Sequence, residues 1–401
     1  STFINVYQER EPMSNNYTAG IVGCGSIGHA HAEGYQLAGV DLIAIADPHP
    51  TAREQYVHEY APLQEFGAVE EMLDKAQPDL VSVCTWHLLH PGPTIAAGKA
   101  GVKGVICEKP MAIGMAAANS MVEACDLHGT KLIVSHQRRF TRGWERAREL
   151  VHSGAIGEPV MVENKIGHGL MNWGTHTIDG ARFVLGDPKP VWVMGAVERL
   201  TDRFERDTPI EDSCIALVQF DDKCQMMIQS DLNMVDAGAG SFKIRGSDGI
   251  LSVSESQVML FNGKTKGWQD IDLGEEEIVG IGGNTNAAQV RELINWIEGG
   301  PEHRGSGHQA RITVEIMMAL YESARQNRVV NMPLMEQEYP LELMINEGKL
   351  PIAAEGRYDI RGFLSWEGVD IERFNQLRDQ GMGHHAIMRQ LHEEMENAQK
   401  A

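Results

Sequence analysis

The stretch Val105–Pro110, VICEKP, ends an apolar run on two charges, Glu108 and Lys109. Charges directly after a buried run are costly unless they pair or act. Residues Asn172–Asp179, NWGTHTID, bring a second reactive set. Asn172 and His176 are four apart and would share one helix face. Asp179, three residues further on, would bond the His176 ring and fix its tautomer. A histidine so placed can take up a hydroxyl proton. The third stretch, Thr18–Asp47, holds GCGSIG between an apolar run and a helical segment. Gly23 permits the tight turn, Gly25 lets a pyrophosphate approach the backbone, and Gly28 lets the helix pack close to the strand. Ser26 and Ile27 open that helix, whose free amides attract phosphates. Asp47 lies 19 residues beyond Gly28, close to the roughly 20 expected for an acid that holds ribose hydroxyls. The three stretches imply a dinucleotide site, and the repulsion between a carboxylate and a 2′-phosphate favours NAD over NADP. An oxidised nicotinamide is cationic and would lower the pKa of a nearby lysine. Lys109 could then act as an acid/base group or hold a substrate hydroxyl.

These residues need elements to carry them. From 18 to about 140, the apolar runs AGIVG, DLIAIAD, DLVSVCT, GVICEK and KLIVSHQ alternate with amphipathic segments. Strands separated by helices imply βαβ units and a parallel sheet, with ligands at the carboxyl ends of its strands. After the turn GAIGEP at 154–159, strand-like runs follow one another with little helix between. That texture predicts one open, mostly antiparallel sheet. Asn172–Leu185, Ala287–Glu298 and His308–Asn327 read as helices, the last two covering the sheet. The other face would stay bare and suit contact between subunits. The expected division is a mobile arm over 1–17, a Rossmann domain over 18–140, an α/β substrate-binding and oligomerisation domain over 141–335, and an extension over 336–401.

Composition narrows the partners. The 401-residue chain has a formal charge of −21 at pH 7. That excess of acid argues against unaided nucleic-acid binding, which replaces counterions with basic groups, and against anionic membranes; a neutral or weakly charged ligand is the easier partner. No apolar run reaches the roughly 18 residues of a membrane span. The polar start of the chain lacks the apolar core of a signal peptide. The six cysteines form no CxxC pair, as expected of reduced thiols in a cytoplasmic protein. His384, His385 and His392 could share a helix face, but a solvated polar helix is the expectation there and no metal is predicted. Trp173 offers an aromatic face to a sugar ring, or else packs in the core. Arg138, Arg139 and Arg142 follow the run KLIVSHQ; they suit surface salt bridges or an anionic group of the substrate, with Arg139 the candidate contact.

GIVGCGSIG, DLVSVCTWHLLH, VICEKP, HQRRF, GAIGEP and NWGTHTIDGARFVLG together resemble the Gfo/Idh/MocA family, that of glucose–fructose oxidoreductase and inositol dehydrogenase. The resemblance runs over about 18–335. It implies a Rossmann domain followed by an open-sheet α/β domain, and NAD(P)-linked chemistry at a hydroxyl of a sugar, cyclitol or glycoside. By the same resemblance Lys109 and His176 serve the substrate hydroxyl, Glu108 faces the cofactor ribose region, and Thr85, Trp86, His87 and His90 line the cofactor side of the cleft. Asn172 stands where the family usually has aspartate, so it can bond a hydroxyl but carries no charge. Trp86-His87 replaces a more usual Pro-Asn pair.

The expectation is a cytoplasmic, homo-oligomeric NAD-dependent sugar or polyol dehydrogenase, with His176 as base, Lys109 polarising the hydroxyl oxygen and Asn172 positioning it. Two alternatives are a glycosidase that recycles NAD through transient oxidation and elimination, and a non-catalytic NAD-binding protein. The extension is expected either to fold over the active site or to embrace a neighbouring subunit.

Overall fold

The computed structural model describes residues 17–61, 63–232, 237–274 and 281–400. The expected arm, up to residue 16, lies outside the described residues; Tyr17 is buried. Strand β1 (Thr18–Val22) leads through the glycine loop into α1 (Ser26–Ala38), and β2 (Asp41–Ala46) into α2 (Pro50–Tyr60). Then come β3 (Gln64–Phe66), α3 (Val69–Lys75), β4 (Leu80–Val83), α4 (Pro91–Lys99), β5 (Gly104–Cys107), α5 (Met115–His128) and β6 (Lys131–Val134). The six strands pair in parallel in the order β3-β2-β1-β4-β5-β6. The order reverses direction between β1 and β4, the switch point where a doubly wound sheet opens a crevice at its carboxyl edge. The central strands β4 and β5 are wholly buried, as strands covered on both faces must be.

Helix α6 (Arg142–His152) leads out of this layer to β7 (Pro159–Ile166). A tight turn over Leu170–Gly174 then enters α7 (Thr175–Leu185), followed by β8 (Pro190–Glu198), β9 (Thr201–Glu205), β10 (Thr208–Pro209), β11 (Ser213–Phe220) and β12 (Gln225–Ser230). The layer is completed by β13 (Phe242–Gly246), β14 (Gly249–Val253), β15 (Val258–Asn262), β16 (Gln269–Asp270), α8 (Gly283–Ile297), α9 (Gly307–Gln326) and β17 (Val330–Asn331). Nine strands run β16-β15-β14-β13-β7-β12-β11-β8-β17, antiparallel except for the β7–β12 pair. The chain is therefore α/β, with a parallel sheet followed by a mixed, mostly antiparallel one. In β11 and β12 the side chains alternate between buried and partly exposed. Helix α9 lies on this sheet at β8 and α7 at β7, whereas Met194 and Ile215 stand 49% and 42% exposed on the other face. The bare face expected from the sequence is present.

The extension continues through α10 (Pro340–Asn346), β18 (Ala354–Asp359), α11 (Ile371–Asp379) and α12 (His384–Lys400). It returns to its own chain: β18 pairs in parallel with β9, and β10 completes a three-stranded sheet. Phe374, Leu377, Ile387, Met388 and Leu391 form a small core of their own. Trp366 joins that core to the first domain, stacking on His49 at 5.5 Å and setting its plane edge-on to His384. Replacing Phe374, 2% exposed, by alanine removes about 3–5 kcal/mol of packing. Because this core is local, Phe374→Ala should speed proteolytic cleavage within 354–398 while the two large sheets stay protected; equal loss of protection across the chain would refute that independence.

Candidate active site

Glycine chemistry shapes the first wall of the crevice. Gly23 has φ +93°, and a Cβ there would come within 2.8 Å of the Cys84 carbonyl carbon. At Gly25 a Cβ would project into open space, the place a pyrophosphate needs. Tyr56 donates its hydroxyl to the Gly25 carbonyl at 2.6 Å and anchors the loop. Asp47 follows the last residue of β2. Its Oδ2 accepts the Cys24 amide and its Oδ1 the His49 amide, both at 2.8 Å. Each oxygen keeps a further lone pair for a ribose hydroxyl. Ser26 and Ile27 line the cleft at the start of α1. These features fit a dinucleotide.

Lys109 stands one residue past Glu108, at the end of β5. Glu108 is 5% exposed and accepts from His31 Nε2 at 3.0 Å and from the Lys109 amide at 3.1 Å. The other His31 nitrogen meets Ser82 Oγ at 2.9 Å, and Ser82 meets the Tyr35 hydroxyl at 2.7 Å. Burial opposes the Glu108 charge, yet the His31 hydrogen bond and the Lys109 charge hold it down to about 2. Lys109 Nζ donates to Asn172 O at 3.2 Å and Oδ1 at 3.4 Å. Burial of the ammonium in the cleft, then the Arg206 charge, pushes it down to about 7 against the pull of Glu108 and Glu205.

The turn before α7 sets Asn172 opposite, 2% exposed, with His176 5% exposed on the helix behind it. Both line one cleft of about 560 Å³ with Lys109, Glu108, Trp173, Thr85, Trp86 and His87. Asn172 Nδ2, His176 Nδ1 and Thr85 Oγ1 are buried without a hydrogen-bond partner. Burial, with Arg138 and Lys109 adding to it, holds His176 well below its ordinary range.

Four expectations change. Asp179 does not bond His176: its two oxygens accept the Arg139 guanidinium, each at 2.7 Å, and His136 Nδ1 stands 3.3 Å away. Arg139 is no substrate contact, because it is fully buried and also pairs with Asp187 at 2.8 Å; Arg138, held by Glu255, lines the cleft in its place. His90 is not in the lining of the cleft; its ring is buried between two loops, 3.0 Å from the Thr85 carbonyl and 2.9 Å from the Pro110 carbonyl, and donates to one of them. His384 and His385 are not merely solvated, since both line the cleft, and His384 meets His29 at 3.3 Å. Arg206, Arg361 and Leu364 also line it, and no local motif points to them. No group of three or more metal-ligating side chains occurs among the described residues, and no helix among them is long and apolar enough to cross a membrane.

A crevice at a sheet switch point, glycine-lined on one side and carrying lysine, asparagine and histidine on the other, is of the kind that holds a dinucleotide in proteins of two α/β domains. Residues 17–136 match the family described as oxidoreductase, NAD-binding Rossmann fold, and 148–332 match its C-terminal alpha/beta domain. The chain belongs to the Gfo/Idh/MocA family. Among sequence relatives, inositol 2-dehydrogenase of Cereibacter sphaeroides is 36% identical over 147 residues; that stretch covers 36% of this chain and 43% of the relative, less than half its length. D-glucoside 3-dehydrogenase of Escherichia coli is 23% identical over 76% of this chain and 94% of its own. Levoglucosan dehydrogenase, solved with NADH and levoglucosan, shares the fold with a TM-score of 0.70 at 20% identity, over 80% of this chain and 100% of that one.

Arg139→Gln should leave buried Asp179 without its partner and cost about 3–5 kcal/mol. Thermal unfolding should show that loss, and the KM of any substrate should barely move. A large KM change at unaltered stability would return Arg139 to the substrate.

Proposed function

We propose that the protein is an NAD-dependent dehydrogenase acting at a hydroxyl-bearing carbon of a sugar, cyclitol or glycoside. The observation that carries this reading is the convergence of Lys109, Asn172 and His176 on the NAD-binding crevice. The names of the relatives, inositol 2-dehydrogenase and D-glucoside 3-dehydrogenase, support the same substrate class. Bound NAD supplies the hydride acceptor. This chain must then orient the alcohol and receive its hydroxyl proton.

The electrostatics shift that second task from His176 to Lys109. A general base works best with a pKa near the working pH, and Lys109 lies at about 7. His176 is held so low that it stays neutral and resists protonation. A neutral imidazole still hydrogen-bonds a hydroxyl, so His176 and the Asn172 amide position the alcohol while the uncharged Lys109 amine takes the proton. Trp173 offers the face of a sugar ring its apolar surface.

A second reading rests on the extension. His384, His385 and Leu364 close part of the cleft, and a covered cofactor exchanges slowly. That suits a glycosidase that returns the hydride to its own substrate and keeps NAD. The bare sheet face, with Met194 and Ile215 exposed, favours a homo-oligomer, and six unpaired cysteines favour the reducing cytoplasm.

Absorbance at 340 nm, with NAD⁺ or NADP⁺ and a panel of inositols, sugars and glycosides, tests the reading. Stoichiometric NADH from one class supports it; aglycone release needing only catalytic NAD⁺ moves the assignment to the glycosidase. Oxidation requires the neutral amine, so kcat/KM should rise with pH through about 7 and level off above. Lys109→Met should lower kcat roughly 10²–10⁴-fold and abolish that rise. A pH rise that survives in the variant would place the base elsewhere. His176→Ala should impair turnover and leave NAD⁺ binding intact.

A further inference from the structure

Two arginines of the cleft have no part in that reading. Arg206 stands at the tip of the β9–β10 hairpin, and Arg361 lies just beyond β18; both line the cleft that holds Lys109 and His176. Arg206 and Asp207 have φ of +48° and +62°, left-handed backbone that hairpin turns usually fill with asparagine and glycine. Asp359 stabilises this turn from the extension. Its Oδ1 accepts the Arg206 amide at 3.0 Å and its Oδ2 the Asp207 amide at 2.8 Å. The same Oδ1 accepts the Arg361 amide at 2.8 Å. One carboxylate thus fixes the backbone under both arginines.

Only one of the two charges has an acid bonded to it. The Arg206 guanidinium bonds Glu205, which is itself wholly buried. Arg361 meets His385 Nε2, at 3.4 Å, and the Phe363 ring, 6.0 Å to its centroid; Glu205 acts on its charge through space, but no carboxylate bonds its side chain among the described residues. After burial, Arg206 is the charge that weighs most on Lys109. Cations gathered around a buried lysine repel one another, and on a chain of formal charge −21 they could have been paired with any of its many acids. A cluster left short of acid is suited to an anion that arrives with the substrate, and guanidinium forks match carboxylate and phosphate oxygens. The cofactor pyrophosphate is expected on another wall of this cleft, at Gly25 and Ser26 where α1 begins.

We propose that Arg206 and Arg361 bind an anionic group of the substrate, a carboxylate or a phosphate carried on the sugar or cyclitol. This rests on the dehydrogenase reading and narrows its substrate class to acids or phosphate esters. It also replaces the neutral ligand that overall charge suggested, because the local field of the cleft opposes the net charge.

The test compares kcat/KM for glucuronate, galacturonate, glucose 6-phosphate and inositol 1-phosphate with that for each neutral parent. It uses the wild type, Arg361→Gln and Arg206→Gln, and measures NAD⁺ affinity for all three. The expected result is preference for one anionic compound over its parent. Each variant should lower that preference roughly ten- to hundredfold, mainly through KM, with NAD⁺ affinity at the wild-type level. The preferred compound separates carboxylate from phosphate. Equal use of charged and neutral compounds by the wild type would overturn the proposal and leave the dehydrogenase reading standing. Weakened NAD⁺ binding with unchanged substrate preference would also overturn it, by giving the arginines to the cofactor. If no compound yields NADH, the dehydrogenase reading fails by itself. Calorimetric titration of glucuronate and glucose 6-phosphate into the NAD⁺-loaded protein then decides: binding lost in Arg361→Gln supports the anion site, and no binding to the wild type removes it.

Discussion

A carboxylate cannot stay ionised at the end of a buried strand unless something holds it, and in this chain His31 does. The Glu108–His31 bond joins the carboxyl end of β5 to the middle of α1, and Ser82 and Tyr35 extend the chain across β4 and back to α1. The glycine loop that shapes the cofactor crevice and the strand that presents Lys109 are therefore locked by one polar network inside an apolar layer. Such a network is worth most when fully satisfied. Because Glu108 also accepts the Lys109 amide, the carboxylate fixes the backbone from which the reactive side chain rises.

The same low-polarity setting has opposite effects on three neighbouring groups. Glu108 has a hydrogen-bond partner and a cation beside it, so it remains charged at about 2. Lys109 shares Glu108's pull but faces arginines across the cleft, and burial tips the balance to about 7. His176 is buried, with cations nearby and no acid bonded to it, so it is driven far down. Asp179 could have reversed that last effect, yet it is committed to Arg139. Competition for a single buried carboxylate thus decides which side chain can carry a proton.

Where a residue's role is set by its own neighbours in the chain, the sequence revealed it. Gly23, Gly25, Gly28 and Asp47 take their places through one turn and the strand that follows, and periodicity displayed both sheets. Lys109, Asn172 and His176 were named through family resemblance and do converge. The pairing of Asp179 was not legible, since a spacing of three on a helix is equally compatible with His176 and with an arginine forty residues earlier. Arg139 had the look of a surface cation because its acids, Asp179 and Asp187, come from α7 and the loop beyond it. Arg206 and Arg361 were illegible for a stronger reason. They line one cleft only because β18 pairs with β9, across some 150 residues, and no local pattern encodes that pairing.

This long-range pairing also explains how a common fold acquires a particular cleft. The parallel sheet and glycine loop suit any dinucleotide, and on the reading proposed above the lysine and histidine suit any alcohol. What distinguishes one substrate from another must come from the walls, and here one wall is the extension. Strand β18 is short and its exposed residues carry little hydrophobic gain, so its placement depends on directional contacts: the Asp359 carboxylate on the hairpin turn and the Trp366–His49 stack. Contacts of that kind fix orientation more than they add stability. A segment held this way can be rebuilt without disturbing the sheets beneath it, which makes the extension the part of the molecule where specificity can change at least cost to folding.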